Sequence, residues 1–269
     1  MATELKDVKY EVAVANRVLA ELGLASGVLA ALGHASMRVP SQPDTFVVKG
    51  RGYEMDALAR MRPEDMVICD LEGYKVGGPP HATQCFEVKM HSCIYKTHPE
   101  VQSIVHVHPR YTVLMSVLQK RLLPMCNEGL YLVRDPLPVY DNPMVILTEE
   151  QGMETASLLG DSKAILFKGH GAATVGKSLQ ESVIFMLQLE EQAKMNWYAY
   201  CAAGPDHQGI PFDQADEVIE WLAKMPINEL PHFTQEVRAA GVQTGGVWAY
   251  YADLVSKDLR RPWWRKMLG

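Results

Sequence analysis

Glu87-Val-Lys-Met-His91, followed downstream by Ile104-Val-His106-Val-His108-Pro109, is the stretch on which the reading of this chain turns. His106 and His108 stand two apart inside an apolar run. In a β-strand, residues i and i+2 point to one face, so the two imidazoles can grip one ion. Glu87 and His91 are four apart in a segment of helical pattern and so share a helix face. Imidazoles combined with a carboxylate suit zinc, iron or manganese. A single strand histidine is more often a satisfied polar residue, so the metal reading needs a third ligand.

Outward from that stretch, Thr83 is placed to cap a helix running through Glu87, His91, Ile94 and Tyr95 and stopping before His98-Pro99. Ser103 to His108 is predicted as a strand that Pro109 breaks, with a helix over Tyr111 to Leu118. Upstream, helical periodicity runs from about Lys6 to Leu24 and ends near Gly23. Strands are predicted at Gly33 to Pro40, Phe46 to Gly52 and Met66 to Gly73, with a short one at Tyr74-Lys-Val. Downstream, Leu130 to Tyr140 reads as irregular with strand pieces. Thr148 caps a helix that Gly160 stops, and Ala164 to Gly176 reads as a hairpin turning at Gly169-His170-Gly171. A long helix covers Leu179 to Ala199. Composition shifts at Gly204-Pro205, which divides a domain of residues 1–204 from an extension of residues 205–269. The extension carries helices near Phe212 to Met225 and Leu230 to Ala240 and an aromatic tail through Trp263-Trp264, read as packing rather than as a lid.

A chain of 269 residues with 48% hydrophobic and 22% charged residues has the balance of an ordinary globular protein. A net charge of −6 without a long basic run offers no footprint for nucleic acid or an anionic membrane surface. Five cysteines form no CxxC pair, which argues against a disulfide framework and fits a reducing cytoplasm. Neither a signal-peptide layout nor an apolar run of membrane-spanning length is present. The expectation is a cytoplasmic protein with a small-molecule partner.

His170 is the candidate for the missing ligand, set against the plainer reading of a structural histidine. Glycine on either side lets the backbone turn sharply and lets another group approach closely, which a core histidine rarely needs. The ordered set Gly33-His-Ala-Ser36-Met-Arg, Glu87-x-x-x-His91, His106-x-His108 and Gly169-His170-Gly171 resembles the class II aldolase/adducin family over about residues 8 to 200. That resemblance implies an α/β fold, a three-layer α/β/α arrangement around a mostly antiparallel sheet, here with a helical C-terminal extension. It implies a homotetramer with sites at subunit interfaces and a divalent ion, most often Zn2+, with Mn2+, Fe2+ or Co2+ as alternatives. It places His106, His108 and His170 as ligands and Glu87 as acid/base or fourth ligand.

The chain departs from the family's sugar-phosphate aldolases where phosphate is held. Those members typically carry Ser-Ser just before the glutamate, and here the positions are Cys85 and Phe86. Neither donates the short hydrogen bonds an oxyanion needs. Lys49-Gly-Arg51-Gly stands where a Thr-Pro-Ser-Gly turn is usual, and Gly33-His34-Ala-Ser36 where Gly-Asn-x-Ser is usual. Arg51 offers a planar fork for a carboxylate and Lys49 a point charge. The family's loop tyrosine is missing near Pro124, with Tyr131 close by. The chain is therefore most similar in character to the family's decarboxylases of dihydroxyphthalate-like aromatic acids, which serve aromatic catabolism. In that reading Glu87 or His91 provides the proton, and Arg51, Lys49, His34 and Ser36 face the substrate. The alternatives are an aldolase acting on a non-phosphorylated hydroxy-keto acid and an adducin-like interaction module without catalysis. His81, His98, His207 and His232 have no partner at ligand spacing and read as surface residues.

Overall fold

Alternating apolar side chains along nearly every strand give the central sheet two buried faces. Val105 and Val107, with Val47, Ala35 and Leu166, look to one side, and Ile104, Phe46, Val48, Ile165 and Phe167 look to the other. The computed structural model describes residues 4–224 and 246–259. Helix α1 (Leu5–Glu21) leads into strands β1 (His34–Val39), β2 (Gln42–Lys49), β3 (Met66–Asp70) and β4 (Lys75–Gly77). Helix α2 (Val88–Thr97), strand β5 (Ser103–Val107) and helices α3 (Arg110–Leu118) and α4 (Leu130–Val133) follow. Strand β6 (Val139–Tyr140), helix α5 (Glu149–Leu159) and the hairpin β7 (Ala164–Phe167) and β8 (Gly171–Gly176) complete the sheet. Helices α6 (Leu179–Ala203), α7 (Phe212–Lys224) and α8 (Val247–Val255) come last.

The eight strands lie in the order β4-β3-β2-β1-β5-β8-β7-β6, antiparallel at every junction except β6 against β7. One core forms where α1, α3 and α6 cover the first face, and a second where α2 and α5 cover the other. This is the three-layer α/β/α arrangement with a mostly antiparallel sheet. Register across the middle of the sheet sets His34 opposite His106, and His106 opposite Ala173. The two histidines thereby meet on the face that α2 covers.

Helix α8 packs on α1 through Trp248, Tyr251, Ala252 and Val255, and Arg17 clamps Val255 O and the Asp258 carboxylate. Helix α7 is tied down by the Arg134–Asp216 ion pair and by Phe212 under the guanidinium groups of Arg121 and Arg134. The helix expected over Leu230 to Ala240, His232, and Trp263-Trp264 lie outside the described residues. No helix among the described residues is long and apolar enough to cross a membrane.

Four expectations are corrected. Strand β2 begins at Gln42 rather than Phe46, because its outer half is exposed and lacks the apolar alternation that marks a strand. Thr83 does not cap α2. Its backbone instead exchanges two hydrogen bonds with Arg51, and α2 starts at Val88 with Glu87 in the capping position. Leu130 to Val133 is a single helical turn, leaving only Val139-Tyr140 as strand in that region. His207 is buried rather than on the surface, its Nε2 at 3.2 Å from Asn196 Oδ1.

Candidate metal centre

His106 sits near the end of β5 with its ring fully buried. Its Nδ1 is 3.0 Å from Ala172 O, and since a carbonyl only accepts, Nδ1 carries the proton. In the neutral form of the ring, the form that ligates, Nε2 is then a bare lone pair. It faces His108 Nε2 at 3.2 Å and Glu87 Oε2 at 3.1 Å. His170, at the tip of the β7–β8 turn, brings its Nε2 to 3.7 Å from Glu87 Oε1. One donor atom from each of the four residues lies within 4.8 Å of all the others.

That convergence tests whether a cation fits. Ligand bonds of ~2.0–2.1 Å in a tetrahedron put donor atoms roughly 3.3 Å apart, which the 3.1–3.7 Å spacings bracket. Lone pairs held this close repel one another without a positive charge between them. His170 Nδ1 is buried with no hydrogen-bond partner among the described residues. Burial, with the neighbouring His106 and His170, lowers His108 to about 3, and burial followed by His106 lowers His170 as well. Both rings therefore stay neutral near pH 7, the form that ligates. The three histidines and Glu87 fit a divalent ion.

Two glycines make the approach possible. Gly33, at φ +99°, leaves no room for a β-carbon, which would lie 2.7 Å from His106 O. At Gly171 a β-carbon would meet Val107 O at 2.6 Å and the His106 and His108 rings at 3.0 Å. Gly171→Ala must push the hairpin away from two ligands, so metal affinity is expected to fall roughly 10–100-fold, read by titration against a chromophoric chelator.

Glu87 lies just before α2, where its carboxylate turns toward the imidazoles instead of capping the helix. Burial alone would raise its carboxyl, but the facing His106 and His34 outweigh that and hold it well below the usual carboxylate range. Oε1 also accepts Ile146 N–H at 3.4 Å. Glu87 is therefore ionised at rest, the form that can accept a proton.

His34 faces the site, with Nε2 3.5 Å from Glu87 Oε2. His91 does not reach it. Fully buried behind His34, it bonds His34 Nδ1 at 2.7 Å and Ser36 Oγ at 2.7 Å, which leaves no ring nitrogen for a substrate. Ser36 is likewise turned inward, toward His91 and Tyr95, so the expectation that it contacts substrate is corrected. His34, His91 and Cys85 form a second cluster of donor atoms, but a 2.7 Å nitrogen–nitrogen separation is an N–H···N bond, too short for two ligands of one ion.

Lys49 is 1% exposed and has no hydrogen-bond or ion-pair partner among the described residues. Burial lowers its ammonium to about 8, against the pull of Asp56. Arg51 lies over the Phe86 ring at 4.6 Å, with Nε 3.5 Å from Asp56 Oδ2. Phe86 itself is largely exposed beside Glu87. Tyr131 is engaged elsewhere, donating to Gln188 Oε1. Arg110 and Tyr95 were not singled out in the sequence. Arg110 follows Pro109 and lines a cavity of about 250 Å3 beside His108, together with Ser26, Leu29 and Tyr111. The signal for Arg110 was its place two residues after a ligand, and for Tyr95 its place one helical turn after His91.

Three histidines and one carboxylate, two of the four buried, converge at the middle of an eight-stranded α/β/α sheet in a set that fits a divalent ion, and the chain's relatives place that fold in a family. Residues 10–197 match the Class II Aldolase and Adducin N-terminal domain, and the chain belongs to that family. It is 28% identical over 256 residues to 3,4-dihydroxyphthalate decarboxylase of Rhodococcus jostii, covering 92% of this chain and 96% of that protein. It is 34% identical over 140 residues to L-fuculose phosphate aldolase of Methanococcus maripaludis, covering 52% of this chain and 73% of the other. In fold it is similar to an aldolase II superfamily protein from Pseudomonas syringae, with TM-score 0.73 and 18% identity, covering 96% of this chain and 94% of that one.

Proposed function

We propose that this protein is a metal-dependent decarboxylase of a hydroxylated aromatic carboxylic acid of the dihydroxyphthalate kind, with a role in aromatic catabolism. The observation that carries the reading is Lys49, a buried lysine with no hydrogen-bond or ion-pair partner among the described residues, in a chain whose Glu87 is preceded by Cys85-Phe86 rather than by hydroxyls. A buried cation without a partner costs stability unless a ligand completes it, and a carboxylate is the matching group. Near full-length likeness to a 3,4-dihydroxyphthalate decarboxylase supports the same substrate class.

A divalent ion at His106, His108 and His170, Zn2+ by preference and Mn2+, Fe2+ or Co2+ otherwise, lowers the pKa of a substrate hydroxyl and draws off the charge that develops. Glu87, ionised at rest, takes the hydroxyl proton. The resulting neutral carboxyl returns that proton to the ring carbon bearing the carboxylate. The ring–carboxyl bond then breaks, carbon dioxide departs, and the bond's electron pair restores the aromatic ring. Lys49, and Arg51 on its Phe86 platform, hold a second carboxylate that stays. His34 keeps the carboxylate of Glu87 oriented. His91, named from sequence as a proton source, is reassigned to positioning.

One further observation favours a second reading. An ionised Glu87 facing a metal also suits removal of a hydroxyl proton in retro-aldol cleavage, and the Methanococcus relative is an aldolase. An adducin-like module has no use for a complete set of converging ligands. Carbon dioxide release from a panel of dihydroxyphthalates and hydroxybenzoates, run beside aldehyde release from hydroxy-keto acids, separates the readings. Aldehyde without carbon dioxide sinks the decarboxylase.

Lys49 supplies a prediction with a sign. Its ammonium is charged below about 8 and neutral above, so KM for a carboxylate substrate is expected to climb as pH passes that value. Lys49→Met is expected to raise KM by roughly 10–100-fold, the worth of one charge-assisted hydrogen bond, and to flatten that climb. Steady-state kinetics across pH 6–10 is the check.

In the same proposal the active form is a cytoplasmic homotetramer, with residues 1–204 as the catalytic domain and 205–269 as an extension packed on it. Exposed Met144, Val145 and Leu147, flanking the Ile146 N–H that reaches Glu87, support a subunit contact close to the site.

A further inference from the structure

We propose that Tyr95, Ser36, His91 and His34 form a one-way hydrogen-bond chain that holds His34 with its Nε2–H aimed at Glu87, which makes Ser36 and His91 positioning residues for that carboxylate. The proton count gives the direction. An ionised carboxylate only accepts, so His34 Nε2 donates to Glu87 Oε2 across 3.5 Å. His34 and His91 are both buried, which disfavours a charge on either ring and leaves each one proton. With its proton on Nε2, His34 accepts at Nδ1, so His91 Nε2 donates across 2.7 Å. His91 Nδ1 then accepts from Ser36 Oγ at 2.7 Å, and Ser36 Oγ in turn accepts from Tyr95 at 2.8 Å. Every donor points the same way.

The backbone makes this arrangement natural. His34 and Ser36 are i and i+2 on β1, spaced roughly 6.6 Å along one face. His91 and Tyr95 are i and i+4 on α2, spaced roughly 6 Å along the helix. The two pairs interleave where the helix crosses the sheet, and Phe46 covers both His91 and Tyr95. As a neutral ligand ring, His106 has its one proton on Nδ1, held by Ala172 O, and none on Nε2 to offer Glu87. His34 is therefore the imidazole that can donate to that carboxylate oxygen.

The chain orients and does not conduct. Handing a proton along it would end in a tyrosinate at Tyr95, and burial pushes that phenol well above its usual range. Ser36 and His91 have no exposed surface and Tyr95 has 1%, so solvent cannot resupply the far end. What the chain can do is fix one tautomer of His34 and with it the direction of the Glu87 carboxylate.

The kinetic half of this inference rests on the reaction proposed above, while the proton positions do not. Neutron diffraction from the metal-loaded protein is expected to show hydrogen on Nε2 of His34 and His91 and none on Nδ1 of either. Hydrogen on His91 Nδ1, or on both nitrogens of His34, overturns the chain. Ser36→Ala removes the donor that sets His91, so kcat is expected to fall roughly 10-fold with KM and metal content unchanged. Tyr95→Phe removes a donor to Ser36 but leaves the Ser36–His91 bond, and its kcat is expected to stay within about 2-fold. Equal losses in the two variants, or an unchanged kcat in Ser36→Ala, would mean that direction has no functional role. If no substrate of the proposed class turns over, the reaction fails and the neutron result still decides the chain.

Discussion

His106→Ala is expected to strip the ion and lower kcat/KM by at least ~10^3-fold, since the metal's share of charge stabilisation is several kcal/mol and each ~1.4 kcal/mol is tenfold. Three features of His106 lead there. Its Nε2 is bare because Nδ1–H is held by Ala172 O, it stands 3.1–3.2 Å from both Glu87 Oε2 and His108 Nε2, and it is fully buried. Alanine leaves a void beside Phe167, where the His106 ring packs edge-on, so some loss of stability accompanies the loss of metal. His108→Ala separates the two effects, because His108 is only partly buried and its removal disturbs the core less. Both variants are expected to fall well below one ion per chain by elemental analysis. If either keeps a full complement of metal, its histidine is not a ligand.

Glu87→Gln carries the second large effect. The amide keeps the shape and the buried position but cannot take a proton from a substrate hydroxyl, and removing a positioned general base costs roughly 10^2–10^4 in kcat. Three histidines remain, so metal content is expected to hold near one per chain. This pair of readings distinguishes the two roles Glu87 could have. Loss of turnover with metal retained identifies an acid/base group, and loss of both identifies a ligand. The amide keeps one accepting oxygen, so it can still receive the His34 Nε2–H if that oxygen takes the place of Oε2. A rise in KM without loss of kcat would contradict the base assignment.

Much of this candidate site could be read from the chain because strand alternation and flanking glycines mark its histidines. His106 and His108 alternate with valines, so a strand puts both on one side. Glycines around His170 marked a turn with a close approach, and Gly171 does abut both other ligand rings. Depth was harder to read than direction. The i, i+4 spacing of Glu87 and His91 says nothing about what lies between them, and His34 from a neighbouring strand occupies that space. Ser36 looked like a substrate contact from its place in the Gly33-His34-Ala-Ser36 stretch, yet β1 turns it toward α2. Lys49 looked like a turn cation, and its burial depends on packing brought from elsewhere in the chain. The outer half of β2 escaped notice for the opposite reason. Gln42, Pro43 and Asp44 are exposed, and hydrogen bonding to β1 and β3 rather than burial extends the strand around them.

One divalent ion at His106, His108 and His170 underlies every functional step proposed for this chain. The most direct test strips the protein with chelator, restores Zn2+ or Mn2+ in substoichiometric steps, and follows carbon dioxide release from a dihydroxyphthalate at each step. The expected result is no release from the stripped protein, a linear return of activity, and a plateau at one ion per chain. Full release from metal-free protein, or a plateau at a different stoichiometry, would contradict it.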